Sequence, residues 1–151
     1  MSIPELIPIQ RIEDYYTKNI GSYCSGLFMG FVVAQFDSEM PKPMPKNWDE
    51  YKNWYAILYK FSSDGTHVGT DFWLAGKTSD GESKVTANAA KQLQDFILKL
   101  GPVKYENIAV KLFQVTIDNN VFGLFEGDDG SVLLLPNDLA FYEPWNGQYD
   151  T

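Results

Sequence analysis

Residues 53–76 read NWYAILYKFSSDGTHVGTDFWLAG, and their pattern decides the fold class. Two runs rich in aromatic and β-branched residues flank SSDGT, where Asp64-Gly65 is a strong turn signal, so the stretch predicts an antiparallel hairpin. In the first run both strand faces are apolar. Trp54, Ala56 and Leu58 fall on one face, and Tyr55, Ile57, Tyr59 and Phe61 on the other. A strand facing water on one side alternates apolar with polar; this one predicts a central strand covered on both sides.

The helix that could cover one side follows at once. TSDGESKVTANAAKQLQDFILKLGP places Ser79 three residues before Glu82 as a capping box and closes on Lys99, Gly101 and Pro102. Val85, Ala89, Leu93, Phe96 or Ile97, and Leu100 recur at spacings of three and four, giving one apolar face over about residues 80–100.

Period two surrounds this helix. ELIPIQRI (5–12) reads as a strand, with Pro8 indicating an edge position. NIGSYCSGLFMGFVVAQF (19–36) reads as a hairpin bend and a strand over 27–36, with Gly21, Gly26 and Gly30 as bends or bulges. Pro41, Pro43 and Pro45 then force an extended surface crossing, followed by one helical turn with Asn47 as N-cap and Glu50 at its third position. ENIAVKLFQVTID (106–118) reads as one long strand, DNN as a tight turn and VFGLFEG (121–127) as its partner. VLLLP (132–136) and LAFYEPW (139–145) complete the series. Strands, helix, strands, joined by short turns, predict an α+β protein: a mostly antiparallel sheet with one long amphipathic helix packed on it.

A chain of 151 residues is of one-domain size, so residues 1–151 are expected to form a single globular domain. A hydrophobic content of 44%, with ten Phe, nine Tyr and four Trp, argues against disorder. MSIPELIPIQ has neither the basic start nor the apolar run of a signal peptide, and no stretch approaches the length of a membrane helix. A cytoplasmic protein is expected.

Charge is unevenly distributed. Residues 1–41 carry five acids and two bases (−3), residues 42–111 eight acids and ten lysines (+2), and residues 112–151 seven acids and no base (−7). Arg11 is the only arginine, whereas arginine's fork is the preferred reader of guanine edges and phosphates. A net charge of −8 opposes nucleic acid and favours a basic protein partner. The candidate contact residues are Glu126, Asp128, Asp129, Glu143 and Asp150.

Catalytic and metal chemistry find few residues. Cys24 is alone and has no basic neighbour in SYCSG, so it reads as a small hairpin residue. The only histidine, His67, sits two residues past the Asp64-Gly65 turn and reads as a solvated side chain. One Cys and one His exclude zinc sites of known spacing. EGDDGS (126–131) lacks the spacing of a calcium loop and reads as an acidic hairpin turn. No phosphate-binding or dinucleotide glycine pattern is present, and no cofactor is expected. A glycosidase-like pair of carboxylates is the enzyme hardest to exclude, with Asp71, beside Phe72 and Trp73, as its first acid. Asp71 is nevertheless expected to face solvent at the hairpin edge, and most of the tryptophans to pack in the core.

The hairpin block NWYAILYKFSSDGTHVGTDFWLAGKTSDGES, the tail FYEPWNGQYDT and the opening IGSYCSGLFMGFVVAQF together resemble a family of small bacterial proteins, the formate hydrogenlyase regulatory proteins. That resemblance implies a non-enzymatic repressor of the operons that build the complex. Joined to the charge, it implies repression through a protein partner, by restraining an activator. Two other readings compete: an immunity-type protein neutralising a basic toxin, and a carbohydrate-binding or carbohydrate-cleaving domain. The tail is expected to be ordered, with Trp145 and Tyr149 packed on the sheet and Pro144 and Gly147 setting its turns.

Overall fold

The computed structural model describes residues 3–151. Every strand pair in it is antiparallel, and its longest helix is α1, Glu82–Leu98. The strands before the helix are β1 (Ile7–Ile9), β2 (Ile20–Tyr23), β3 (Gly26–Phe36), β4 (Lys52–Phe61) and β5 (His67–Lys77). Those after it are β6 (Val103–Tyr105), β7 (Ile108–Val110), β8 (Phe113–Ile117), β9 (Asn120–Glu126), β10 (Val132–Leu135), β11 (Leu139–Phe141) and β12 (Tyr149–Asp150). The fold is α+β, as its element order predicts.

These strands form two five-stranded sheets and one two-stranded ribbon. The inner sheet has the order β5-β4-β3-β2-β6, the outer sheet β12-β11-β10-β9-β8, and β1 pairs with β7. Helix α1 covers one face of the inner sheet, and the outer sheet covers the other. The alternation in β4 is the physical reason. Ala56 and Leu58 join Phe28 from β3 and Ala89, Leu93 and Ile97 from α1 in one buried cluster. Tyr55, Ile57, Tyr59 and Phe61 face Ile117, Phe122, Leu124, Val132, Leu134, Leu139 and Phe141 of the outer sheet in the other. Burying each of the larger apolar side chains among them contributes about 1.5–3 kcal/mol. A strand with two apolar faces needs two covering layers, and it has them.

Several local expectations are revised. Residues 106–118 do not form one strand, because the chain changes partner at Lys111-Leu112: β7 pairs with β1, whereas β8 pairs with β9. The helix begins after Gly81. Ser79 lies in a short 3₁₀ turn, Thr78–Asp80, where the Asp80 carboxylate accepts from the Lys77 backbone N–H at 3.0 Å. LAFYEPW is strand only over Leu139–Phe141. Asn47 does precede a 3₁₀ turn, Trp48–Glu50, but its side chain donates to the Glu50 carboxylate at 2.6 Å and caps no backbone group. Gly21, Gly26 and Gly30 mark close approaches of chain to chain. A Cβ on Gly30 would come within 2.7 Å of Leu93 Cδ1.

Pro8 sits in the two-stranded ribbon, where a missing N–H is tolerated. The Asp118-Asn119 hairpin turn has both residues at positive φ, 51° and 66°, as a two-residue turn of this twist requires. The tail is ordered. Trp145 and Tyr149 pack against the intersheet core, β12 pairs with β11, and the Gln10 N–H donates to the Gly147 carbonyl at 3.0 Å. Gly147 turns at φ 90°, a conformation costly for other residues, and lies against the Gln10 backbone.

Core aromatics are Tyr and Phe. The four tryptophans stand at the margins: Trp48 and Trp73 are exposed, Trp54 and Trp145 half-buried. This corrects the expectation that most would lie in the core; the sheets meet over strand centres, whereas these residues sit at strand ends, in loops or on the edge strand. That edge strand is β5. It has β4 on one side only and presents Val68, Phe72, Trp73 and Leu74 to solvent. Among the described residues, no helix is long and apolar enough to cross a membrane.

Candidate functional site

Two surfaces stand out, one anticipated from the sequence and one not. The outer sheet contains no lysine or arginine, since none occurs in residues 112–151. Its inward side chains are set by period two: Phe122 and Leu124, Val132 and Leu134, Leu139 and Phe141 are buried. The intervening residues therefore point away from the core. They are Val121 and Phe125 in β9, Leu133 and Leu135 in β10, and Ala140 in β11, half-buried or exposed, flanked by the polar Gln114 and Thr116 of β8. Register places Leu133 between Phe125 and Ala140, so part of this apolar face is continuous.

Antiparallel order gathers the anticipated acids at one end of that sheet. Glu126 ends β9, Asp128 and Asp129 lie in the β9–β10 turn, Glu143 follows β11, and Asp150 is in β12. All five are exposed. Asp129, Glu143 and Asp150 line one depression of about 520 Å³ with Ser131, Ala140 and Tyr142. Asp129 accepts from the Ser131 hydroxyl and the Ser131 backbone N–H, and these bonds hold its carboxyl below the ordinary carboxylate range. A hydrogen bond to Asp150, then burial, raises the Tyr142 phenol. Asp118 and Asp138 sit at the opposite end, in the β8–β9 and β10–β11 turns. Among the described residues, no three metal-type side chains converge.

The residues weighed for chemistry are each engaged elsewhere. His67 is half-buried, which corrects the solvated reading. Its ring stacks on Phe113 at 5.0 Å, meets Phe61 edge-on and places Nε2 2.7 Å from Thr70 Oγ1. The hairpin tip folds over the edge of the outer sheet, so burial, acting against a backbone bond at Gly69, lowers the imidazole pKa from 6.5. Asp71 pairs with Lys60 at 3.1 Å on the exposed edge strand. Cys24 is exposed in the β2–β3 turn beside Ser25.

The second surface is a groove of about 1000 Å³ between α1, β3 and the loop over residues 13–19. Its walls include Tyr15, Tyr16, Lys18, Lys52, Trp54 and Leu93, and Asn137 contributes from the β10–β11 turn. The sequence reading missed it. EDYYTK (13–18) was its one local sign, a pair of tyrosines in a turn segment, and both are exposed. No family model, no curated protein and no solved structure matches the chain.

Proposed function

We propose that the protein is a non-enzymatic regulator that binds a basic protein partner through the outer sheet. The observation that carries this reading is a surface with seven acids, no base and an apolar outer face. The two features have different physical roles. Carboxylates at the Glu126–Asp150 end steer a cationic partner and reject polyanions. The face of Phe125, Leu133, Leu135 and Ala140 supplies apolar area to desolvate on contact. The resemblance to formate hydrogenlyase regulatory proteins adds that the partner is an activator held in check, within a cytoplasmic setting.

The test compares the wild-type chain with a variant carrying Glu126→Gln, Asp128→Asn, Asp129→Asn, Glu143→Gln and Asp150→Asn. Crosslinked pull-downs from native lysate are run at low and at physiological salt, with the retained proteins identified. A basic protein retained by the wild type, weakened by salt and lost in the variant supports the reading. Equal retention by both chains, or none, overturns it. Transcript levels in a strain lacking the protein then decide whether the partner is a transcription activator.

A further inference from the structure

β3 is much longer than the neighbour on its far side. It spans Gly26–Phe36, but β2 pairs only with Gly26 to Met29. One further bond continues the pairing, from the Gly30 N–H to the Asn19 carbonyl at 2.8 Å. Successive residues of a strand direct their peptide groups to opposite edges, so Gly30, Val32, Ala34 and Phe36 all aim away from β4. Two other bonds agree. Phe36 O accepts from Asn120 Nδ2 on the open side, and the Asp37 N–H donates to Tyr51 O on the β4 side.

Val32 and Ala34 therefore present an N–H and a C=O each toward the groove, and among the described residues none of these four groups has a partner. Unpaired N–H and C=O groups along a strand edge are a ready template for a further strand. Beyond Ala34 the Phe36 groups are already taken, its N–H by Gln35 Oε1 and its C=O by Asn120 Nδ2, so the open edge runs over Val32–Ala34, about 7 Å at 3.3 Å per residue.

The walls supply the specificity. The described ion pairs join Lys60 to Asp71, Lys104 to Glu106, and Lys111 to Glu5 and Asp64; neither Lys18 nor Lys52 belongs to one. Lys52 Nζ instead lies over the rings of Trp54 and Trp48, at 5.2 and 5.9 Å. With Asp14 as the opposing acid, the groove carries an excess of one positive charge in a protein of net −8. Tyr15, Tyr16, Val32, Ala90 and Leu93 provide apolar surface, and Asn137 holds an Oδ1 with no hydrogen-bond partner.

We propose that this groove binds an extended peptide bearing carboxylate side chains, which adds a strand to the open edge of β3 beside Val32 and Ala34. Main-chain bonds to these two residues give the peptide its register, while Lys18 and Lys52 select acidic side chains over basic ones. The site is separate from the acidic end of the outer sheet and favours ligands of opposite charge.

The probe is an acetylated, amidated pentapeptide of alternating valine and glutamate, titrated at millimolar concentration into ¹⁵N-labelled full-length protein. Three comparison ligands are its lysine counterpart, a version with the central valine replaced by proline, and octanoate. The acidic peptide is expected to shift the Val32 and Ala34 amide resonances and slow their hydrogen exchange. The lysine and proline peptides should do neither. Lys18→Glu with Lys52→Glu should weaken binding roughly tenfold or more. Ala34→Pro removes an N–H that points into the groove, a substitution a strand edge tolerates, and should abolish binding. If that variant fails to fold, the lysine variant carries the test. No shift at Val32 and Ala34, equal binding of the proline peptide, or the same amide response to octanoate overturns the proposal.

Discussion

Replacing Gly30 by alanine tests the packing of α1 on the inner sheet at its tightest point. The new Cβ would lie 2.7 Å from Leu93 Cδ1 and 3.3 Å from Leu58 Cδ1, whereas ordinary contact begins at 3.4 Å. Leu93 is 2% exposed and held between strand and helix, so it cannot swing clear into water. The helix or the side chain must give by about 0.7 Å (3.4 − 2.7), an overpacking that costs about 1–3 kcal/mol. For a chain of this size that is a fall in Tm of roughly 2–12 °C. Leu93→Ala alone opens a cavity and costs about 2–5 kcal/mol. In the double variant the Gly30 methyl enters the vacated space, so adding it there should be neutral or stabilising by about 0.5 kcal/mol, since alanine also restricts the unfolded chain. The coupling between the two sites is then about 1–3 kcal/mol, within the range found for residues in contact. Urea titrations of wild type, both single variants and the double variant, followed by far-ultraviolet circular dichroism, measure it. If Gly30→Ala destabilises both backgrounds equally, Leu93 does not pack on Gly30 and the placement of the helix is wrong.

Two further outcomes follow from the tail and from His67. Deleting residues 144–151 removes Trp145 and Tyr149 from the core and the Gly147–Gln10 bond, a loss of about 3 kcal/mol. Differential scanning calorimetry should show Tm falling by roughly 6–12 °C, and an unchanged melting curve would mean that the tail contributes nothing. For His67, burial lowers the folded-state pKa from 6.5, so below that pH the unfolded chain binds more protons than the folded one. Stability should be complete above pH 6.5 and decline as pH drops below it. His67→Phe, which keeps a ring stacked on Phe113, should flatten that part of the stability profile; parallel profiles for the two proteins would refute the assignment.

Local physics made much of the fold readable. The two apolar faces of β4 required two covering layers, the Asp64-Gly65 turn fixed the β4–β5 hairpin, and Val85, Ala89, Leu93 and Ile97 traced the buried stripe of α1. What escaped depended on contacts between distant segments. Nothing within residues 106–118 reports that Lys111-Leu112 separates a partner of β1 from a partner of β9. Ser79 had the right spacing for a cap, yet the carboxylate of Asp80, one residue on, took the backbone N–H of Lys77 and moved the helix start. His67 read as a turn residue because Phe113, the ring it stacks on, lies far along the chain. The five anticipated acids were gathered at one end by strand order: the short β9–β10 and β10–β11 turns bring back Glu143, and the seven-residue segment 142–148 returns Asp150. The groove was hidden because it arises from a difference in length between β2 and β3, visible only once their pairing is known.

The bare flank of β5 has a practical consequence for handling the protein. With Phe72, Trp73 and Leu74 outside and one partner strand missing, this edge invites pairing with a second copy, which the mutual repulsion of their carboxylates opposes. That repulsion vanishes near the isoelectric point the composition sets, about 4.5. Acidified solutions should therefore turn cloudy well before the fold is lost, through a seam running along His67–Lys77. A lysine introduced at Phe72 would place a charge in that seam and disfavour the pairing itself, without touching either core.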